Sequence, residues 1–471
     1  MDIKVRVSSL ELYNCKNVVQ GKLYFPCAKS HSMKRADVLG LYGQNGSGKT
    51  AVVSAFDVLR TLLGGKPLSP DVDRLIYQRS DTVRFVFTFL ICVERHYYEA
   101  VYDVALTKRD LDADDAVNLA NDRAHDPVFI SHEEIRYKEL VKGARYKTVL
   151  AFTREGQETK LSPNAVASKM KSRKEDLVVS YKVNAELAYK EHTSFIFRAE
   201  GFHLLGRALE QRTFELLQAL KNVFASRLFV LSNHESGISL ANLSIPIHCR
   251  SAALNLDEEG YGVVELPINS PKKVDMETYE ILQTMFTAIS KILKEIVPGL
   301  SVEAKNLGSQ TMSDGRDGVR VELVAKREGR VLPIACESDG VKKLLTVLSS
   351  LIVMYNDKNA CIVIDELDAG IYEFLLGELV KILKDSGKGQ LLFTSHNLRL
   401  LEVLEKENLV FTSTNPENRY IVLKGIRDSN NIREVYIRAI QLGNDGEDVY
   451  QETDRYEIME AFDEAGELNH G

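Results

Sequence analysis

The sequence predicts an α/β fold with a mixed β-sheet core, an antiparallel β subdomain and a helical insertion, and three observations carry that expectation. The apolar run Val38-Leu39-Gly40-Leu41-Tyr42 feeds a glycine-rich turn, Gly43-Gln44-Asn45-Gly46-Ser47-Gly48-Lys49-Thr50, which opens a helical stretch at Ala51. Two further apolar runs, Cys361-Ile362-Val363-Ile364 and Gln390-Leu391-Leu392-Phe393, end in the polar tips Asp365-Glu366 and Thr394-Ser395-His396. Unbroken apolar runs suit strands buried on both faces of a parallel sheet, whereas residues 82–105 carry β patterning and residues 156–226 are largely helical.

Taken in order, residues 3–13 (Ile3, Val5, Val7, Leu10, Leu12) and Lys22-Leu23-Tyr24-Phe25-Pro26 are expected to pair as strands leading into the glycine turn. The helix after the turn runs to Leu63 and stops at Gly64-Gly65. Val83, Phe85, Phe87 and Phe89 share one face of a strand, and residues 96–102 return beside it; these aromatics read as core, with stacking on a base as the alternative. Residues 110–126 form an acidic loop, and residues 147–152 resume the sheet. Helices are expected over 165–174, 185–192 and 204–225, the last the most periodic. Lys160, Lys169, Lys171, Arg173 and Lys174 cluster in this region as a solvated face or, alternatively, a docking patch for nucleic acid or protein. Residues 227–231 return to strand, 276–297 form an amphipathic helix ended by Pro298-Gly299, and strands follow at 301–304 and 319–325. Beyond the His396 strand lie a short strand at 420–423 and an acidic end at 447–467.

The turn Gly43–Thr50 fits G-x-x-x-x-G-K-[ST] at every fixed position. Triphosphate oxygens need converging backbone N–H donors, which Gly43, Asn45, Gly46, Ser47 and Gly48 supply together with the helix N-terminus. Lys49 reaches the β and γ phosphates, and the Thr50 hydroxyl ligates Mg²⁺. At the end of a buried parallel strand Asp365 is placed to hold the metal and Glu366 to polarise the attacking water. His396, at the next strand end, is placed to hydrogen-bond the γ-phosphate and that water. Expected cofactors are therefore ATP and Mg²⁺.

Composition bounds the rest. The 471 residues allow two or three domains or one large core with an insertion, and 44% hydrophobic with 27% charged residues is ordinary for a folded chain. A net charge of −7 confines any nucleic-acid site to a local patch. The six cysteines form no C-x-x-C pair, which argues against a zinc hook, zinc ribbon or disulfide framework. No basic-then-apolar leader and no apolar run near ~18 residues is present, so no membrane partner is expected and a reducing cytoplasm is the simplest location.

Between the two halves, Glu337-Ser338-Asp339-Gly340-Val341-Lys342-Lys343 opens an apolar helix, and Leu367-Asp368 follows the carboxylates. The order of phosphate loop, S-x-G-x-K helix, Asp-Glu strand and His strand resembles the ABC-type P-loop ATPase head of the SMC, RecF and OLD group. That resemblance implies that Ser338 and Gly340 touch the γ-phosphate held by a partner subunit, that Lys342 supports the signature helix, and that Asp368 lies at the dimer seam. Asp339 stands at the second position of the signature, where the family has glycine, and Gln78 and Gln157 are the candidates for its glutamine switch. The expected division is residues 1–155 for the first half of the head, 156–226 for a helical insertion or arm, 227–412 for the second half and 413–471 for a tail. The wide spacing between Lys49 and Asp365 disfavours a transporter, the lack of long heptads disfavours a chromosome tether, and the stretch beyond His396 is too short for an appended nuclease. The chain thus resembles stand-alone OLD-like ATPases of phage-defence systems such as the PARIS and Septu components. This implies a homo-oligomeric ATP-driven sensor or scaffold with a separate effector such as a nuclease, and DNA or a phage protein as trigger; a RecF-like DNA-repair ATPase is the alternative.

Overall fold

The computed structural model describes residues 2–109, 128–156, 158–163, 174–232, 244–250, 260–313, 315–423, 431–442, 447–451 and 454–468. A six-stranded sheet holds the apolar runs in the spatial order Tyr420–Ile421, Leu409–Thr412, Asp37–Tyr42, Gln390–Ser395, Cys361–Ile364, Leu228–Leu231. All neighbours are parallel except the edge strand Tyr420–Ile421. Leu39, Leu41, Cys361, Val363, Leu392 and Val410 face one apolar cluster, while Val38, Ile362, Ile364, Leu391, Phe393, Leu409 and Phe411 face the other. Alternate side chains thus enter opposite cores, which is why the middles of these strands run apolar without alternation.

The first core lies between this sheet and a seven-stranded antiparallel sheet ordered Val18–Tyr24, Ile3–Cys15, Thr82–Val93, His96–Lys108, Val128–Glu139, Lys147–Glu155, Glu158–Ser162. The phosphate-loop helix Lys49–Leu63 fills the space, with Phe56 edge-on to Phe87 at 5.5 Å. Phe85, Phe87 and Phe89 are fully buried, so core packing, not base stacking, accounts for them. Two amides join the sheets. Gln390 takes the Val7 N–H (2.8 Å) and donates to the Val7 carbonyl (2.8 Å) and Asp37 (3.0 Å), while Asn359 takes the Val5 N–H (2.9 Å) and donates to the Ile3 carbonyl (3.0 Å).

The segment expected as a helical insertion or arm is built into this core. It begins with the edge strand Glu158–Ser162, and its later residues pack under the antiparallel sheet: Phe195 stacks on Phe152 at 4.7 Å, while Phe197 meets Tyr102 at 5.5 Å and Phe224 meets Phe89 at 5.3 Å, both edge-on. The single helix expected over 204–225 is instead Ala199–Ala208, Gln211–Gln218 and a π turn Ala219–Phe224. The chain extends at Leu209 and Glu210, and Phe214 comes back onto Phe202 at 5.0 Å and onto Gly206. Lys160 pairs with Glu155 at 3.3 Å; the side chains of Lys169, Lys171, Arg173 and Lys174, the acidic loop at 110–126 and Gln157 lie outside the described residues.

On the other face of the six-stranded sheet lie the helices Asp339–Asn356 and Glu373–Ser386, the hairpin Ser244–Arg250 with Tyr261–Pro267, and a small sheet of Lys272–Asp275, Asp317–Arg327, Leu300–Thr311 and Arg330–Pro333. The amphipathic helix Met276–Ile296 packs Leu282, Phe286, Ile289 and Leu293 into this second core. His248 of the hairpin is buried 3.1 Å from both Ser349 and Ser350 hydroxyls and edge-on to Phe229 at 4.5 Å. Burial lowers its pKa from 6.5 to about 4. The unfolded chain therefore binds a proton between pH 6.5 and 4 that the folded chain refuses, and stability falls as pH falls through that window. Chemical denaturation at pH 7 and pH 5 is expected to show about 2 kcal/mol of acid loss that a His248→Gln variant lacks. Equal pH dependence in both proteins would refute this assignment. Among the described residues no helix is long and apolar enough to cross a membrane.

Candidate active site

The parallel register sets Tyr42 against Ser395 and Ile364 against Phe393, so Gly43 follows its strand beside His396 and Asp365 follows its strand beside Thr394, all at the carboxyl end of the sheet. The phosphate loop leaves the first of these strands, and Gly48 caps the helix with φ 94°, a left-handed conformation that glycine adopts without penalty. Lys49 is buried and folds back to donate to the Gly43 (2.8 Å) and Gln44 (2.9 Å) carbonyls. Burial pulls its pKa down, and Asp365, Glu366 and Asp368 pull it back up. Asn45 and Thr50 are exposed, at the loop tip and on the first helical turn.

Asp365 is 1% exposed, and one carboxylate oxygen accepts the Thr394 hydroxyl at 2.6 Å. The same hydroxyl accepts the Glu366 N–H at 2.7 Å. The second Asp365 oxygen is buried with no protein partner, which is what a carboxylate that receives a cation requires. Glu366 takes φ 48°, uncommon for a residue with a Cβ and frequent where geometry serves a site. The His396 N–H donates to Asp368 at 3.1 Å. Burial and then the Lys49 charge lower the His396 pKa, against the pull of Asp368, Glu366 and Asp365, so the ring is neutral at neutral pH and can both donate and accept. Lys49, Asp365, Glu366, Asp368 and His396 are thus one interacting group.

The signature residues stand differently. Ser338 is exposed and caps the helix Asp339–Asn356 by accepting the Val341 N–H at 3.4 Å. Gly340 lies so close to the turn after Asp368 that a Cβ would meet the Gly370 carbonyl at 2.3 Å. Among the described residues no hydrogen bond ties Ser338 or Gly340 to the phosphate loop. Lys342 is buried with its ammonium 3.6 Å from Asp339, whereas the adjacent Lys343, which the sequence motif did not single out, is buried within the field of Glu366, Asp365 and Asp368. Gln78 is exposed in a turn beside Tyr77, whose N–H donates to the Asn14 carbonyl at 2.9 Å.

The residues bracing the phosphate loop also went unanticipated, and most come from the segment expected as a tail. Thr412 donates to Ser47 at 2.6 Å, the Tyr420 hydroxyl donates to the Gly48 carbonyl at 2.8 Å, and Arg419 donates to the Asn17 carbonyl at 2.8 Å. Asn17 in turn donates to the Gly46 carbonyl, and the Gln44 amide exchanges hydrogen bonds with the backbone of Gln451. Elsewhere Asp103, His132 and Glu134 lie close enough to share a metal, but Arg84 takes both Asp103 oxygens (2.8 and 2.6 Å), so an ion network satisfies them.

A strand–glycine loop–helix unit, a carboxylate strand two places along the sheet and a serine-capped signature helix make this an ABC-type P-loop ATPase fold. Residues 190–402 match the family described as "AAA domain, putative AbiEii toxin, Type IV TA system". That span includes Ser338, Asp365, Glu366 and His396, while the phosphate loop lies ahead of it. The chain is also similar to an Smc head bound to the C-terminal winged-helix domain of ScpA, at 14% identity over 88% of this chain and 97% of that one, with a TM-score of 0.40. It is similar to the SMC head domain from Thermotoga maritima at 11% identity over 89% and 99%, TM-score 0.36, and to RecF bound to ATP at 10% over 84% and 94%, TM-score 0.33. No curated protein matches the chain.

Proposed function

We propose that this ATPase head binds and hydrolyses ATP as a sensor or scaffold, assembles with itself through nucleotide held between two heads, and controls a separate effector, a nuclease, in prokaryotic anti-phage defence, in the manner of OLD-like ATPases such as the PARIS and Septu components. The observation that supports the chemistry is the electrostatic grouping of Lys49, Asp365, Glu366 and His396 at the carboxyl ends of the sheet strands, with one Asp365 oxygen left for a cation. Thr50 and Asp365 would hold Mg²⁺, which when bound offsets phosphate charge. Glu366 takes the proton of the attacking water, and His396 positions it. Self-assembly is supported by the exposure of Ser338, whose helix N-terminus presents donors to a phosphate on a neighbouring head. The defence setting is supported by the toxin–antitoxin description of the matched family.

Sizing the protein with and without ATP, alongside nucleotide binding, tests this. Lys49→Ala is expected to weaken ATP binding about 100-fold, as loss of a charge-assisted phosphate contact does. Ser338→Arg is expected to bind ATP normally and fail to assemble. ATP binding unaltered in Lys49→Ala would overturn the site, and ATP-driven assembly by Ser338→Arg would overturn the shared-nucleotide interface. No effector among proteins that copurify from the native host would count against that role, and DNA-stimulated turnover with steep salt dependence would favour RecF-like repair instead.

A further inference from the structure

The helix Arg455–Leu468 is amphipathic, and its described side chains lie in solvent. At 3.6 residues per turn, Ile458, Met459 and Phe462 fall within roughly 100° of one another, while Glu457, Glu460 and Glu464 fall within roughly 60° on the opposite side. Every described side chain from Asp454 to Ala465 is exposed; Tyr456 is 82%, Met459 61% and Phe462 74% open to solvent. A helix of 14 residues is marginal in water unless its apolar face is covered. Large apolar side chains arrayed in this way mark an interaction surface.

The chain also carries a groove of matching chemistry. Where the edge strand Val18–Tyr24 meets the strands Leu409–Thr412 and Tyr420–Ile421, a cavity of about 320 Å³ opens beside the exposed side chains of Tyr24 and Val422, with Lys22, Lys29 and Lys406 at its rim and Glu407 the one acidic residue among its lining. Lys22 is paired with Glu11 at 2.6 Å and Lys406 with Glu407 at 4.0 Å, which leaves the rim net cationic. We propose that the acidic helix of one chain docks in this lysine-rimmed groove of a second copy, its apolar stripe over Tyr24 and Val422 and its glutamates toward Lys29 and Lys406. The fit is one of charge and hydrophobicity together. The helix has not closed on the groove of its own chain, where Tyr24 and Val422 remain more than half exposed, and a second copy is what the single chain lacks. This contact needs no nucleotide and so stands apart from the ATP-bridged assembly. It would carry its effect to the site directly, because Gln451, just ahead of the helix, is held by Gln44 of the phosphate loop.

Sedimentation equilibrium of the full chain without nucleotide tests it. The parent protein is expected to self-associate, and Met459→Asp with Phe462→Asp is expected to weaken that association at least about tenfold without altering the thermal melt, because both side chains lie in solvent. Lys29→Glu with Lys406→Glu is expected to do the same. A helix variant carrying Glu457→Lys, Glu460→Lys and Glu464→Lys is expected to lose self-association, yet to pair with the Lys29→Glu, Lys406→Glu protein on mixing. Four results would each overturn the proposal: a parent chain that stays monomeric to about 100 μM, association untouched by the lysine reversals, reversed variants that fail to pair, or helix variants that change only the compactness of a monomer, which would mean closure within one chain.

Discussion

Glu366→Gln is expected to bind ATP as the parent does and to turn it over about 10²- to 10⁴-fold more slowly, the range by which a positioned general base accelerates a proton transfer. Glutamine keeps the length and shape of the side chain and suits φ 48° no worse than glutamate, so the strand end and its hydrogen bond to Thr394 persist. What disappears is the ability to accept a proton. In a head that closes on nucleotide, the missing step removes the exit from the closed state, so the ATP-bound assembly is expected to accumulate in sizing experiments. Phosphate release measured in a single turnover separates this from slow product release. A Glu366→Gln protein that hydrolyses at the parental rate would assign the proton transfer elsewhere, and His396, whose ring is held neutral by burial and by Lys49, would be the next candidate.

The strands of the nucleotide sheet were legible because burial on both faces leaves a continuous apolar mark; Ile362 and Val363 enter different cores, yet both had to be apolar. The phosphate loop and the carboxylates were legible for a related reason. Their chemistry fixes residue types at fixed spacing, and the sheet then gathers them at its carboxyl end. The braces around the loop follow no such rule. Tyr420 reaches Gly48 and Arg419 reaches Asn17 across almost the whole chain, through single hydrogen bonds that impose no period and no motif, so residues 413–423 passed for the start of a tail. Helical phase was the second limit. Lys342 and Lys343 are neighbours in sequence, but only the backbone decides which one is buried within the field of the carboxylates, and it is Lys343. Periodicity also ran unbroken through Leu209 and Glu210, where the chain extends, because the apolar residues on either side still face the same core.

The buried carboxylate of Glu133 is expected to be the costliest single acid to remove. It is fully shielded from solvent in the strand Val128–Glu139, and it accepts the Tyr102 hydroxyl at 2.8 Å, the Ser194 hydroxyl, and the N–H groups of Phe195 (2.9 Å) and Ile196 (3.4 Å). One side chain thereby pins the irregular turn ahead of helix Ala199–Ala208 to the antiparallel sheet, and with it Phe195 and Phe197 in the first core. Burial alone pushes its pKa up, while the hydroxyls and amides that point at it pull the other way. Glu133→Ala leaves those donors buried without an acceptor, and each unsatisfied group costs about 1–3 kcal/mol, so a total loss of about 3–5 kcal/mol is expected once the turn relaxes around the gap. Ser194→Ala removes one donor, leaves the carboxylate three, and strips the buried Phe197 N–H of the acceptor it has at 2.8 Å, so about 2 kcal/mol is expected from it. Urea midpoints for the two variants, with the slope checked for constancy, would measure both. A Glu133→Ala loss below that of Ser194→Ala would mean that the turn is held by its aromatic packing on Phe152 and Tyr102 and that the buried acid is incidental. The expected ordering makes the acid the link between the antiparallel sheet and the segment 174–227, and hence the reason that segment behaves as part of the head.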